Sequence, residues 1–223
     1  MTSAALEIDR VTHTYTVRRA TTVTALQNVD LEALPGERVC VAGPSGSGKS
    51  TLCHLAAGLE RPQRGDVRVA GRAPDTTRDW RVVAVAPQRH GLIQDLTVAE
   101  NIWLPVHYGV SQTGDDAPEG ALESLLDLLD IADIRHRMVR ETSLGQQQRT
   151  AIARAMVLRP RLIVLDEPTS HQDDEHVDQV LAAFMAMREY GTALLVASHD
   201  ERVIDMADRT VWLDEGRIAV HRR

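Results

Sequence analysis

The stretch Gly43-Pro-Ser-Gly-Ser-Gly-Lys49-Ser50 has the residue types and spacing needed to hold a chain of phosphates. Gly43, Gly46 and Gly48 let backbone N–H groups approach an anion, and a helix beginning just behind them adds its positive N-terminal end. Lys49 would neutralise the β- and γ-phosphates of a nucleoside triphosphate, ATP above all, while the Ser50 hydroxyl would ligate Mg²⁺. Pro44, Ser45 and Ser47, with Thr51 behind Ser50, complete the expected binding set. A second chemical feature is the pair Asp166-Glu167, which closes the apolar run Leu162-Ile-Val-Leu165. A carboxylate at a strand tip beside a phosphate loop can hold Mg²⁺ through water, the role assigned to Asp166. Glu167 would then turn toward the γ-phosphate and polarise the attacking water.

These residues need a scaffold, and the sequence spells one out. Arg38-Val-Cys-Val-Ala42 reads as a short buried strand before the loop, and Leu52, Leu55 and Ala56 read as one face of a helix ending at Gly58. Leu6 to Val17 and Val23 to Leu26 alternate with β-branched residues, which predicts antiparallel strands. Trp80 to Ala86, Arg161 to Leu165 and Thr192 to Ser198 are further buried strands, with His199 at the end of the last. Thr210 to Ile218 reads as a hairpin around Glu215-Gly216. Between Arg89 and Leu158 the periodicity is helical, interrupted by a polar link at Ser111 to Gly120. The expected fold is α/β: a phosphate-loop NTPase with a mostly parallel core sheet, an N-terminal antiparallel β subdomain and an inserted helical subdomain. Residues 1–88 and 159–223 would form the catalytic core with its antiparallel part, and 89–158 the helical subdomain.

Composition narrows the partners. The 223-residue chain carries a formal net charge of −7, which argues against nucleic acid as the main ligand. Its short arginine clusters, such as Arg135 to Arg140, read as solvated surface. The two cysteines, Cys40 and Cys53, lack metal or redox spacing and read as small buried packing groups, which fits a reducing cytosol. The N-terminus has no signal-peptide pattern, and no run of apolar residues is long enough to span a bilayer. Direct membrane insertion is therefore not expected, and membrane work would need a docking partner.

The ordered set of motifs resembles the ATP-binding subunits of ABC transporters, over essentially the whole chain. Gln88 falls where that family has the glutamine that senses Mg²⁺ and joins core to helical subdomain. Ser143-Leu-Gly-Gln-Gln-Gln-Arg149 stands at the family signature, and His199 at the switch histidine near the γ-phosphate. Tyr15 matches the aromatic that stacks on adenine, and Ser170-His-Gln-Asp173 the segment that crosses the dimer interface. The resemblance implies catalytic roles for Glu167, His199, Gln88 and Lys49, and a Mg²⁺ site of Ser50, Gln88 and Asp166. It further implies that Ser143, Gly145 and Gln146 contact the ATP held by a facing subunit, in a homodimer or heterodimer. The partner receiving the motion would be an integral-membrane permease, engaged around Leu92 to Trp103, with the chain peripheral on the cytoplasmic face of the membrane.

The chain also departs from that pattern. Thr142 replaces a leucine and Leu144 a glycine in the signature, His171 and Gln172 replace smaller or apolar residues, and Pro87 replaces an aromatic. Leu144 puts bulk where backbones approach closely, so an altered rate or a low-activity, ATP-holding subunit is one alternative. A non-transport ABC-type ATPase and a small-molecule kinase are two others. Length and the segments Val23 to Val29 and Leu92 to Asn101 resemble the lipoprotein-release, macrolide-export and cell-division subgroup.

Overall fold

In the computed structural model, residues 4–17, 21–74, 79–108, 118 and 120–222 are described. Arg18-Arg19, Arg223 and most of the polar link from Ser111 to Gly120 lie outside them. Strands β1 (Leu6–Val17), β2 (Thr21–Ala33) and β4 (Arg64–Val69) make a three-stranded antiparallel sheet in the order β2-β1-β4. The second sheet is six-stranded, in the order β5-β6-β7-β3-β8-β9. It comprises β3 (Arg38–Ala42), β5 (Val83–Ala86), β6 (Leu162–Asp166), β7 (Ala193–Ala197), β8 (Arg209–Asp214) and β9 (Arg217–Arg222). Every neighbouring pair is parallel except β8–β9, the expected hairpin at the edge.

Successive side chains of a strand point to opposite faces, so the central strands feed two cores. Ile163, Leu165, Leu194 and Val196 pack with Ile152, Met156 and Phe184 on one face. These last belong to α4 (Leu144–Met156) and α5 (Asp174–Met187). Leu162, Val164, Leu195 and Ala197 pack on the other face with Leu52 and Leu55 of α1 (Lys49–Ala56), and with Leu6, Leu31 and Val67 of the antiparallel sheet. Burial on both faces explains why β6 and β7 read as unbroken apolar runs. Cys40 and Cys53 are buried free thiols, as expected, and burial pushes the Cys40 thiol up to about 12.

The helices α2 (Val98–Tyr108), α3 (Ala121–Leu128) and α4 fill much of the stretch between β5 and β6, and α6 (Glu201–Met206) follows β7. One expectation fails here: the segment from Leu92 to Thr97 is not helical. Asn101 is fully buried and turns its side chain back onto it, accepting from the Ile93 N–H at 2.8 Å and donating to the carbonyls of Ile93, Leu96 and Thr97. Thr97 and Glu100 then bond reciprocally, a capping box that starts α2 one residue later. Side-chain hydrogen bonding outcompetes the helical periodicity that Leu92, Ile93 and Leu96 display.

Candidate functional site

The strand order assembles the chemistry. β5, β6, β7 and β3 lie side by side and parallel, so their carboxyl ends form one edge. Gln88 follows β5, Asp166-Glu167 end β6, His199 follows β7, and Gly43 follows β3. Ligands of open parallel sheets bind at such an edge, outside the carboxyl ends of the strands.

Between β3 and α1 the phosphate loop is shaped by glycines in conformations that side chains rarely adopt. Gly43 has φ 146, Gly46 φ 81 and Gly48 φ 107. Two of these positions are also closed to any side chain. A Cβ on Gly43 would stand 2.0 Å from the Leu213 carbonyl oxygen, and one on Gly48 2.4 Å from that of Ala25. The hairpin turn at Glu215-Gly216 braces the loop, the Gly216 N–H donating to the Ser47 carbonyl at 2.9 Å. Lys49 Nζ donates to the carbonyls of Gly43 and Pro44 at 2.8 and 3.1 Å, which holds the ammonium over its own loop. Pro44, Ser45 and Gly46 are exposed, Thr51 is buried, and the buried Ser47 hydroxyl has no hydrogen-bond partner.

Asp166 is only 4% exposed and its Oδ1 is buried without a partner. Burial raises its pKa, opposed by a hydrogen bond from the Ser50 hydroxyl and joined by repulsion from Glu167. A buried carboxylate oxygen left unpaired is costly, and a cation is what relieves it. One hydroxyl and one carboxylate, short of a protein cage, suit Mg²⁺, which keeps waters and takes phosphate oxygens. Among the described residues no group of three or more His, Cys, Asp or Glu could hold a metal alone. Glu167 adopts φ 51, an uncommon conformation for a residue with a side chain. Its backbone is fixed from both sides: the N–H donates to the Ala197 carbonyl at 2.9 Å, and the carbonyl accepts from Gln148 Nε2 at 2.7 Å. Its carboxylate accepts a 2.9 Å hydrogen bond from Nδ1 of the exposed His199.

Gln88 is exposed and lines a groove of about 700 Å³ with His90, Leu92, Leu144, Gln147 and His171. Tyr15 is half-buried, its ring edge-on to His13 at 4.8 Å and its hydroxyl donating to Glu60 at 2.8 Å. The Ser143 turn caps α4. Ser143 Oγ accepts from the Gln146 N–H at 3.2 Å, and Gln146 Oε1 accepts from the Ser143 N–H at 3.0 Å. The cap points the positive end of a 13-residue helix along this turn. Leu144 sits there 58% exposed, and Gly145 packs against the segment after Glu167, where a Cβ would lie 2.8 Å from the His171 carbonyl oxygen.

Residues 26–170 match the family profile described as ABC transporter. The chain belongs to the ABC transporter family. Among its relatives, a lipoprotein-releasing system ATP-binding protein of Anaeromyxobacter dehalogenans is 39% identical, covering 89% of this chain and 87% of that one. Its counterpart in Maricaulis maris is 36% identical over 98% of this chain and 97% of its own length. A solved dimeric, post-hydrolysis ATP-binding cassette bound to ADP and Pi superposes with a TM-score of 0.87, at 28% identity and 98% coverage of both chains. The chain is thus an ABC ATP-binding cassette of the lipoprotein-release subgroup, an ATP-binding ATPase subunit, with the α/β fold expected. No helix among the described residues is long and apolar enough to cross a membrane.

Residues without a motif of their own also surround the motifs of this ABC cassette. Glu60 gathers Tyr15, His13 and His54, each within 3.0 Å. Arg154 lies 7% exposed in α4 and donates to the carbonyls of His90 and Gly91 at 2.9 and 2.8 Å, pinning the backbone just after Gln88. Burial pushes that guanidinium down to about 10. Gln148 is 4% exposed and touches Glu167. No local signal distinguishes it from its neighbour Gln147, because only the direction of α4 decides which of them faces inward.

Proposed function

We propose that this chain is a Mg²⁺-dependent ATP-hydrolysing subunit that powers a separate integral-membrane permease, working in pairs. The observation that carries the reading is the shared edge: a phosphate loop, a buried acid with an unpaired oxygen and a carboxylate–histidine pair at neighbouring strand ends. The backbone N–H groups between Gly43 and Thr51, Pro44 excepted, bind the triphosphate with Lys49, and Tyr15 stacks on the base. Ser50, Asp166 and Gln88 would hold Mg²⁺, which would supply positive charge against the phosphates when bound. Glu167 accepts a proton from the attacking water, and His199 orients that carboxylate and faces the γ-phosphate. Ser143, Gly145 and Gln146 present the N-terminus of α4 to the nucleotide of the facing subunit. Residues 1–88 and 159–223 serve as the catalytic core and 89–158 as the helical subdomain. The site sits at the cytoplasmic face of a membrane, and the relatives that release lipoproteins point to a similar cargo class.

Glu167→Gln tests the assignment. The amide oxygen still accepts from His199, so the fold persists, while the base is gone. ATP hydrolysis should fall by about 10²- to 10⁴-fold with ATP binding retained. Hydrolysis within a few-fold of the unaltered chain would remove Glu167 from its role.

A further inference from the structure

Gln172 stands where the family resemblance leads one to expect a smaller or apolar residue, and its amide uses both of its N–H donors and its oxygen. Its Nε2 donates to the Gly145 carbonyl at 3.0 Å and to Gln148 Oε1 at 3.2 Å. Its Oε1 accepts from an Arg149 NH1 at 2.8 Å. Gln148 passes the chain on, Nε2 donating to the Glu167 carbonyl at 2.7 Å. The orientation of both amides is forced. Arg149 can only donate, so it must meet the Gln172 oxygen, which turns the Gln172 nitrogen to Gln148 Oε1. Gln148 must then meet Glu167 with its nitrogen, and a backbone carbonyl can only accept. The chain therefore has one consistent polarity from Arg149 to Glu167.

Its surroundings make the polarity matter. Gln148 and Arg149 are each 4% exposed, so water cannot replace a lost partner. Glu167 holds φ 51, a conformation that needs outside support, and the Gln148 bond is on that residue's own carbonyl. At the other end, Gly145 is pressed against the segment that carries Gln172, with room for no Cβ.

We propose that Gln172 and Gln148 form a positioning relay that ties the Ser143–Gly145 turn to the backbone of Glu167. The inference rests on the functional reading above, in which that turn acts on the nucleotide of the facing subunit while Glu167 acts on its own. The relay then links the two ATP sites through this subunit: displacement of the turn by one nucleotide moves the base at the other.

Two substitutions in the full chain test it. Gln172→Leu keeps the volume and removes every bond. Gln172→Glu keeps acceptance from Arg149, now as an ion pair, but can donate to nothing, so Gln148 must reverse and withdraw its bond from the Glu167 carbonyl, leaving there only the longer 3.3 Å bond from the Ser170 N–H. Both should lower kcat for ATP about tenfold, since small misplacements of a catalytic group are that costly, with KM for ATP unchanged. Gln172→Glu should lose as much kcat as Gln172→Leu even where the two differ in melting temperature, which a merely structural role does not allow. The pair Gln172→Leu with Gln148→Met should be no slower than either alone. Wild-type kcat in Gln172→Glu, or kcat losses that track melting temperature across the set, would overturn the relay. An unaltered chain without ATP hydrolysis would instead overturn the functional reading on which it rests.

Discussion

Asp208 is held by two arginines, Arg38 and Arg188. It stands just before β8 and accepts from Arg38 three times, from the backbone N–H at 3.0 Å and from Nε and NH2 at 3.1 and 2.9 Å. Arg188, beyond the end of α5, adds a fourth bond at 3.1 Å. The cluster ties the start of β8 to the start of β3, and β8 is the strand whose far end braces the phosphate loop. The hydrogen bond from Arg38 is the main cause that holds the Asp208 carboxyl at about 2 instead of its ordinary 3.8, against the opposing effect of burial. That difference corresponds to about 2 kcal/mol of folding stability. The folded-state value is depressed, so the stabilisation is fully present above about pH 4 and disappears as the pH falls from there toward 2. Asp208→Asn should therefore lower stability by about 2 kcal/mol at neutral pH, or roughly 4–8 °C in melting temperature for a chain of this size. Urea unfolding of both proteins at about pH 7, 5 and 3 would show a constant gap at the first two and a narrower one at the third. A gap unchanged down to pH 3, or one under about 0.5 kcal/mol at pH 7, would refute the reasoning.

Two further outcomes follow from the same geometry. Gly43→Ala must displace the loop, because its Cβ would overlap the Leu213 carbonyl at 2.0 Å, whereas a Cβ on Gly46 meets nothing within 4 Å. Nucleotide titration should show at least a tenfold weaker affinity for Gly43→Ala and an affinity within about threefold for Gly46→Ala, whose left-handed strain of roughly 1–2 kcal/mol is felt as a loss of folding stability. Leu144 is 58% exposed at the first position of α4, where glycine costs little helix stability. Leu144→Gly should raise kcat for ATP without changing the unfolding free energy by more than about 1 kcal/mol, read by steady-state hydrolysis and urea unfolding side by side.

The sequence by itself determined the parts of this protein whose physics is local. A phosphate loop is one contiguous turn, so Gly43 to Ser50 declares it without help from the rest of the chain. Strands buried on both faces must be apolar throughout, which made β3, β6 and β7 legible, along with the acids that end β6. The hairpin at Glu215-Gly216 was readable for the same reason: its hydrogen bonds close within a few residues.

Tertiary structure decided what lies opposite what. The strand order β5-β6-β7-β3 gathers Gln88, Glu167, His199 and Gly43 on one edge, although nothing local specifies it. The helical period of Leu92, Ile93 and Leu96 misled because the buried Asn101 claims that backbone for its own side chain. The bonds from Gln148 to Glu167, from Gln172 to Gly145 and from Arg154 to Gly91 span 19, 27 and 63 residues. Partners so far apart are selected by packing, which removes water and leaves each buried polar atom to bond whatever the fold has set beside it.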